Sequence, residues 1–68
     1  MKEKITKILN KLKYSWYWET NNKIVFEGEV WTGEVNKKLE QEGVKYRWCY
    51  EKGKVVYYII SQELGVTK

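Results

Sequence analysis

The sequence of 68 residues contains no His, no Asp, no Pro and no Ala, and its only cysteine is Cys49. Without His or Asp the chain cannot build the Ser-His-Asp or Cys-His arrangements of nucleophilic catalysis, and one cysteine cannot form a zinc site. A single cysteine also excludes an internal disulfide. We therefore expect a protein that is not an enzyme and that uses no cofactor and no metal.

Long apolar runs are also absent. The longest uncharged apolar stretch, Val55 to Ile60, has six residues, whereas a membrane-spanning helix needs about 20. The N-terminus alternates Lys with apolar residues, unlike a secretory signal. We expect no membrane partner. A small chain without disulfides or metal fits a reducing compartment, so we expect a cytoplasmic location.

Aromatic residues and positive charge are what the chain has in abundance. Four Trp, six Tyr and one Phe exclude a disordered tail, and the length suits one domain only. Residues 1–13 carry five Lys and one Glu, residues 14–43 three Lys and six Glu, and residues 44–68 five Lys or Arg and two Glu, which totals +4. Basic ends around an acidic middle favour a polyanionic partner, although a solvated surface explains a basic helix equally well.

Hydrophobic spacing predicts two helices. Ile5, Ile8, Leu9 and Leu12 lie at i, i+3, i+4 and i+7, which predicts a helix over residues 3–13. A second, shorter helix is predicted over residues 33–42, with Thr32 as its N-cap and Gly43 just beyond its end.

Alternating aromatic residues predict two β-hairpins. From Tyr14 the apolar period changes to two, and Thr20-Asn21-Asn22 predicts a turn before a strand from Lys23 to about Val30. Pairing Glu19 with Lys23 places Trp18 opposite Ile24 and Trp16 opposite Phe26, so that all large groups share one face. The second hairpin spans residues 44–61 around Lys52-Gly53. It pairs four sets of residues: Glu51 with Lys54, Tyr50 with Val55, Trp48 with Tyr57, and Tyr46 with Ile59.

These elements define one α+β domain over residues 1–61 in the order α-β-β-α-β-β. We expect a four-stranded antiparallel sheet with both helices on one face, followed by a flexible tail at residues 62–68. Residues 13–19 align with 45–51 and residues 23–26 with 54–57, with six of eleven pairs identical. Two interpretations stay open: a duplicated helix-hairpin unit (residues 2–30 and 32–61), or chance similarity in a Lys/Tyr/Trp-rich sequence.

The strand residues that alternate with this aromatic face form a second face of the sheet, which is too basic for a core and too apolar for an ordinary surface. Tyrosines there can stack on bases while cations hold phosphates. The sequence therefore predicts a small, non-enzymatic, DNA- or RNA-binding protein. Its predicted binding residues come from this face, its turns and the basic first helix: Arg47, Lys45, Tyr58, Tyr17, Lys23, Lys54, Lys52, Lys4 and Lys11.

The same face permits a different class of function. A protein-binding regulator or inhibitor would dock through it, or two copies would form a homodimer by packing their sheets together. The apolar residues for such a homodimer are Val56, Ile60, Val25 and Trp31.

Residues 32–60 resemble the end of winged-helix DNA-binding domains. Leu39-Glu40-Gln41-Glu42-Gly43-Val44 is followed by a basic strand, by Lys52-Gly53-Lys54 and by Val55-Val56-Tyr57-Tyr58. The resemblance implies that Asn36, Lys37 and Lys38 face the major groove and that Lys52 and Lys54 lie in the wing. The upstream chain departs from the family, because residues 14–31 predict a β-hairpin where a helix-turn-helix would stand.

Overall fold

The computed structural model of the protein describes residues 2–62, which form two helices and four strands. The prediction of a small α+β domain with an antiparallel four-stranded sheet is confirmed. In chain order the elements are α1 (Lys2–Asn10), β1 (Ser15–Trp18), β2 (Lys23–Glu27), α2 (Thr32–Gln41), β3 (Val44–Glu51) and β4 (Lys54–Gln62).

Both hairpins have the predicted register. In the first, Trp16 pairs with Phe26 and Trp18 with Ile24. In the second, all four predicted pairs are present, from Glu51–Lys54 to Tyr46–Ile59. Lys52 and Gly53 form its two-residue turn with φ of 54° and 80°. Positive φ at both central residues is the type I′ geometry that matches the twist of the flanking strands.

The two hairpins are joined at the centre of the sheet, whose strand order is β1-β2-β4-β3. β2 and β4 run antiparallel, with Val25 opposite Val56, Ile24 opposite Tyr57 and Phe26 opposite Val55. Val25 and Val56 are also equivalent positions in the alignment of the two halves. The sheet register therefore has a local pseudo-two-fold axis at the Val25–Val56 pair.

One hydrophobic core joins the helices to alternate residues of the strands. Ile5, Ile8 and Leu9 of α1 and Val35 and Leu39 of α2 belong to it. The strands contribute the buried residues Ile24, Phe26, Val44, Val55, Tyr57 and Ile59, and the half-buried Trp16, Trp18, Tyr46 and Trp48 pack against these. Phe26 and Tyr57 meet edge to face at a centroid distance of 5.5 Å. The predicted aromatic face of the sheet is thus the core face.

Tyrosine hydroxyls attach α2 to the sheet. Tyr14 donates a hydrogen bond to Glu34 and Tyr46 donates one to Glu40, each at 2.7 Å, and Tyr57 donates one to Asn36. Burial, and then the Glu40 bond, raises the pKa of Tyr46 to about 12. Burial is also the main cause of the raised pKa of Tyr57. These bonds satisfy phenol groups that would otherwise be costly to bury.

Several predicted boundaries were wrong. α1 ends at Asn10 rather than residue 13, and the amides of Lys11 and Leu12 close a tighter last turn on Ile8 and Leu9. β2 ends at Glu27 rather than Val30, because Gly28 adopts a φ of +83° and turns the chain away from the sheet.

The cap of α2 and the end of β4 also differ from prediction. Thr32 is the first residue of α2 rather than its N-cap; Trp31 takes that position, and no side chain caps the helix. β4 reaches Gln62, so the predicted tail loses its first residue. Its other residues, 63–68, lie outside the described residues. Neither helix in the described part of the chain is long and apolar enough to cross a membrane.

A matched pair of isoleucine substitutions tests the position of the core. Ile24 is fully buried between the hairpins, whereas the Ile60 side chain is 57 % exposed. We expect Ile24→Val to lower the free energy of unfolding by about 0.5–1.5 kcal/mol, since it leaves a methyl-sized void. Ile60→Val should change it by less than about 0.5 kcal/mol. Urea unfolding of both variants measures the difference, and equal effects would contradict this core.

Candidate nucleic-acid interface

The second face of the sheet is organised in rows that run across the strands. One row contains Tyr17 of β1, Val25 of β2, Val56 of β4 and Cys49 of β3. In the next row Lys23 of β2 lies opposite Tyr58 of β4, which lies opposite Arg47 of β3. Glu19 continues this row beside Lys23, since its amide donates a hydrogen bond to the Lys23 carbonyl at 2.7 Å.

A polar cluster of Lys23, Glu19, Glu51 and Tyr58 spans the centre of this face. The Lys23 Nζ lies 2.8 Å from Glu19 Oε1 and 3.0 Å from Glu51 Oε1. Tyr58 donates its hydroxyl hydrogen to the other oxygen of Glu51. The Lys23 ammonium also lies 5.5 Å from the centroid of the Tyr58 ring, within cation–π distance. The cluster therefore connects β2, β3, β4 and the turn that follows β1 through side-chain contacts.

The pKa values of the cluster shift in the directions that these bonds require. The Tyr58 hydrogen bond, and then the Lys23 ion pair, lowers the pKa of Glu51 from its ordinary value of 4.5. The bond to Glu51, and then burial, raises the pKa of Tyr58. The pairs with Glu19 and then Glu51 raise the pKa of Lys23. At neutral pH Lys23 and Glu51 are thus both charged, and Tyr58 keeps its hydroxyl proton.

The two valines at the centre of the second face, Val25 and Val56, line one groove together with Glu19, Lys23 and Glu51 of this cluster. Val25 and Val56 are only 5 % and 2 % exposed, although they point away from the core. The apolar patch predicted here is therefore not an open surface. Ile60 is exposed, but it lies at a register shift, where Lys45 pairs with Ser61 and Tyr46 with Ile59. Trp31 lies outside the sheet, at the start of α2. The four apolar residues predicted for a homodimer do not form one surface.

The predicted binding residues divide into two sets on this face. Lys23 and Tyr58 are engaged in the polar cluster. Tyr17 is 40 % exposed and lines a shallow groove of about 250 Å³ together with Lys52 and Lys54. The four cations of the second hairpin, Arg47, Lys45, Lys52 and Lys54, are all exposed. We call these four residues the basic ridge.

Lys4 and Lys11, the predicted binding residues of the N-terminal region, belong to a different part of the molecule. Lys4 lies in α1, with its Nζ 3.7 Å from Glu42 Oε1 at the end of α2. Lys11 follows α1 in the turn that leads to β1. The structure does not bring these two lysines together with the basic ridge.

Sequence reasoning missed the role of Glu51. It lies opposite Lys54 across its own hairpin, as predicted, but its carboxylate binds Lys23 of the other hairpin. The signal for this contact lies in the strand order, because only the adjacency of β2 and β4 brings Lys23 beside Tyr58. The predicted Glu19–Lys23 pair is confirmed.

Comparison with known protein families, with curated proteins and with solved structures finds no match to this chain. Among the described residues, no group of three or more His, Cys, Asp or Glu side chains is placed to hold a metal ion. The inference of function therefore depends on the chain's own surfaces.

Protonation of Glu51 should destabilise the protein in acid. Its folded pKa is below the unfolded value, so its contribution to stability is present above about pH 4.5 and is lost as the pH falls through the folded pKa. We expect Glu51→Gln to be less stable than wild type near neutral pH and to lose less stability between about pH 5 and about pH 3.

Thermal unfolding over this pH range measures the effect. Glu27→Gln is the matched control, because it removes an exposed carboxylate from β2. It should follow the wild-type pH dependence. If Glu51→Gln and the wild type lose stability in parallel, Glu51 does not hold the cluster together.

Proposed function

We propose that this protein binds DNA or RNA through the basic ridge, without catalysing a reaction. The observation that supports this proposal is that Arg47, Lys52 and Lys54 are exposed on one hairpin, while Lys23 is already neutralised by two carboxylates. Exposed cations can release counterions from a phosphate backbone, whereas an ion-paired lysine contributes little. Arg47 makes no ion pair within the described residues, so its guanidinium is available for a phosphate.

The shape of the hairpin supports a backbone-binding surface. Lys45 and Arg47 lie on the same face of β3, the edge strand, and Lys52 and Lys54 surround its turn. Tyr17 borders the groove beside the turn, where an unpaired base can stack on its ring. The proposal assigns phosphate contacts to the ridge and base contacts to Tyr17, which favours a single strand or a loop over a rigid duplex.

The proposal places both helices on the face opposite to the ridge. Their buried residues share the core with Ile24, Phe26 and Tyr57, and these strand residues point away from the Arg47 side. On this arrangement Lys4 and Lys11 contribute to the overall positive potential but not to the contact itself. They steer the approach of a polyanion, an effect that weakens as the salt concentration rises.

A protein-binding regulator or inhibitor is the second candidate, and one observation favours it. Trp31 and Tyr50 are 70 % and 68 % exposed, and both line a groove of about 540 Å³ with Tyr14 and Glu29. Exposed Trp and Tyr side chains are typical anchors of protein interfaces. This groove contains none of the four ridge residues, so the two functions are separable by mutation.

Neutralising the ridge tests the nucleic-acid proposal. We expect Arg47→Gln/Lys54→Gln to weaken binding to a labelled single-stranded oligonucleotide and to reduce the slope of log K against log salt by about 1.4, or about 0.7 per lost contact. Fluorescence anisotropy at several salt concentrations measures this slope. DNA and RNA of the same sequence are compared in parallel.

Lys37→Gln/Lys38→Gln is the matched control, because it removes two exposed lysines of α2 and lowers the net charge equally. It should keep the wild-type slope. An equal loss in the control would show that net charge, rather than the basic ridge, determines binding. A loss in the control alone would place the contact on α2, as the winged-helix resemblance implies. If the wild type does not bind at low salt, the nucleic-acid proposal fails and the groove of Trp31 and Tyr50 becomes the site to test.

A further inference from the structure

The two edges of the sheet differ in length. β1, at one edge, has four residues, whereas β3, at the other, has eight. Proteins protect exposed edges by keeping them short, because an unpaired strand is a template for pairing with another chain. Within the described residues β3 pairs only with β4. The long edge is therefore the part of the sheet that is open to a further strand.

The backbone groups on the outer side of β3 belong to residues whose side chains lie on the aromatic face. A two-residue hairpin closes on a hydrogen-bonded pair, here Glu51–Lys54, and bonded pairs then alternate along the strands. Arg47, Cys49 and Glu51 therefore bond to β4. The amide and carbonyl groups of Trp48 and Tyr50 point outward, and the two rings meet at a centroid distance of 5.6 Å.

The sequence of β3 is complementary to itself when two copies run antiparallel. In a continuous sheet, residues that lie opposite each other on neighbouring strands point to the same face. Two identical antiparallel strands meet this condition when the two-fold axis passes through one residue of β3, which then lies opposite the same residue of the other copy. With the axis at Cys49, Arg47 of each copy lies opposite Glu51 of the other copy, which gives two such pairs. On the aromatic face Trp48 of each copy lies opposite Tyr50 of the other, which also gives two pairs.

Other registers are less favourable. An axis at Arg47 opposes the two Arg47 side chains, and an axis at Tyr46 opposes Lys45 and Arg47. An axis at Trp48 pairs Lys45 with Glu51 but leaves Arg47 opposite Cys49. Directly opposed like charges destabilise a strand pair, while opposite charges and aromatic pairs stabilise it. Only the Cys49 axis gives Arg47 an acidic partner.

We infer that two copies of this chain associate through their β3 edges, in antiparallel register centred on Cys49, to form a continuous eight-stranded sheet. The occupant of the open edge is thus a second copy of the chain. The Trp48–Tyr50 pairs and the Arg47–Glu51 pairs of the two copies flank the axis on opposite faces of the sheet.

This inference goes beyond nucleic-acid binding and does not depend on it, since the association needs no nucleic acid. Where both hold, Arg47 is paired with Glu51 of the other copy, so that Lys52 and Lys54 of the two copies are left for phosphate contacts. A strand long enough to reach these lysines on both copies would bind more tightly than a strand that reaches one copy only.

Sedimentation of the protein without nucleic acid tests the inference. We expect a concentration-dependent mass that approaches twice the 8.3 kDa of one chain. Tyr50→Pro should weaken association at least about tenfold, because it removes two of the four hydrogen bonds between the Trp48 and Tyr50 backbones of the copies. It spares the ladder with β4, in which the Tyr50 amide takes no part. Tyr50→Val is the matched control, because it removes the Trp48–Tyr50 ring pairs but keeps the amide, and it should weaken association less than Tyr50→Pro does.

The register has its own test. Opposed residues of a non-hydrogen-bonded pair have Cα atoms about 4.5 Å apart, within the range of a disulfide. Mild oxidation should therefore cross-link wild-type dimers through Cys49, and Cys49→Ser should abolish the cross-link but not the dimer.

If Tyr50→Pro does not fold by circular dichroism, Arg47→Glu replaces it in the sedimentation experiment, with Lys38→Glu as control. Arg47→Glu should weaken association, because it opposes two carboxylates.

Three outcomes would overturn the inference. A wild-type protein that is monomeric at every concentration has no such edge contact. A dimer that both edge variants leave unchanged uses another surface. A dimer that is sensitive to these variants but does not cross-link at Cys49 has a different register.

Discussion

The antiparallel pairing of β2 with β4 is the constraint on which the rest of the structure depends. Each hairpin alone has one aromatic face and one polar face, and an isolated hairpin is at best marginally stable. Placing Val25 opposite Val56 brings Ile24 beside Tyr57 and Phe26 beside Val55 on one side. This continuous aromatic surface belongs to the same hydrophobic core as the short apolar stripes of α1 and α2.

The same pairing determines what the second face can do. It brings Lys23 beside Tyr58 and within reach of Glu51, so that a polar cluster forms next to the central valines. Lys23, at the centre of the sheet, is thereby neutralised, and exposed cations lie instead on the second hairpin, at Arg47, Lys52 and Lys54. The basic and aromatic residues of the sequence predict a candidate site in the middle of the sheet. The exposed cations of the candidate site lie instead on the basic ridge.

The two halves are similar in sequence but unequal at their edges. Residues 13–19 align with residues 45–51, yet the first segment forms a strand of four residues and the second a strand of eight. β1 begins at Ser15, opposite the last residue of β2, Glu27, and residues 11–14 separate it from α1. In the second half only residues 42 and 43 separate α2 from β3. A positive φ of 75° at Gly43 makes this tight connection possible. One edge is consequently left long and open.

The sequence by itself determined the local structure: the periods of the helices and strands, the two hairpin registers, and the face on which the aromatic side chains lie. Register was predictable because a one-residue slip would move Trp16 and Trp48 to the polar face. Tertiary structure alone decided that β2 and β4 are neighbours. It therefore decided that Glu51 binds Lys23, that Val25 and Val56 are buried, and that Arg47 is exposed. Contacts between the two hairpins depend on which strands are neighbours in the sheet. The spacing of hydrophobic residues along the sequence does not specify this strand order.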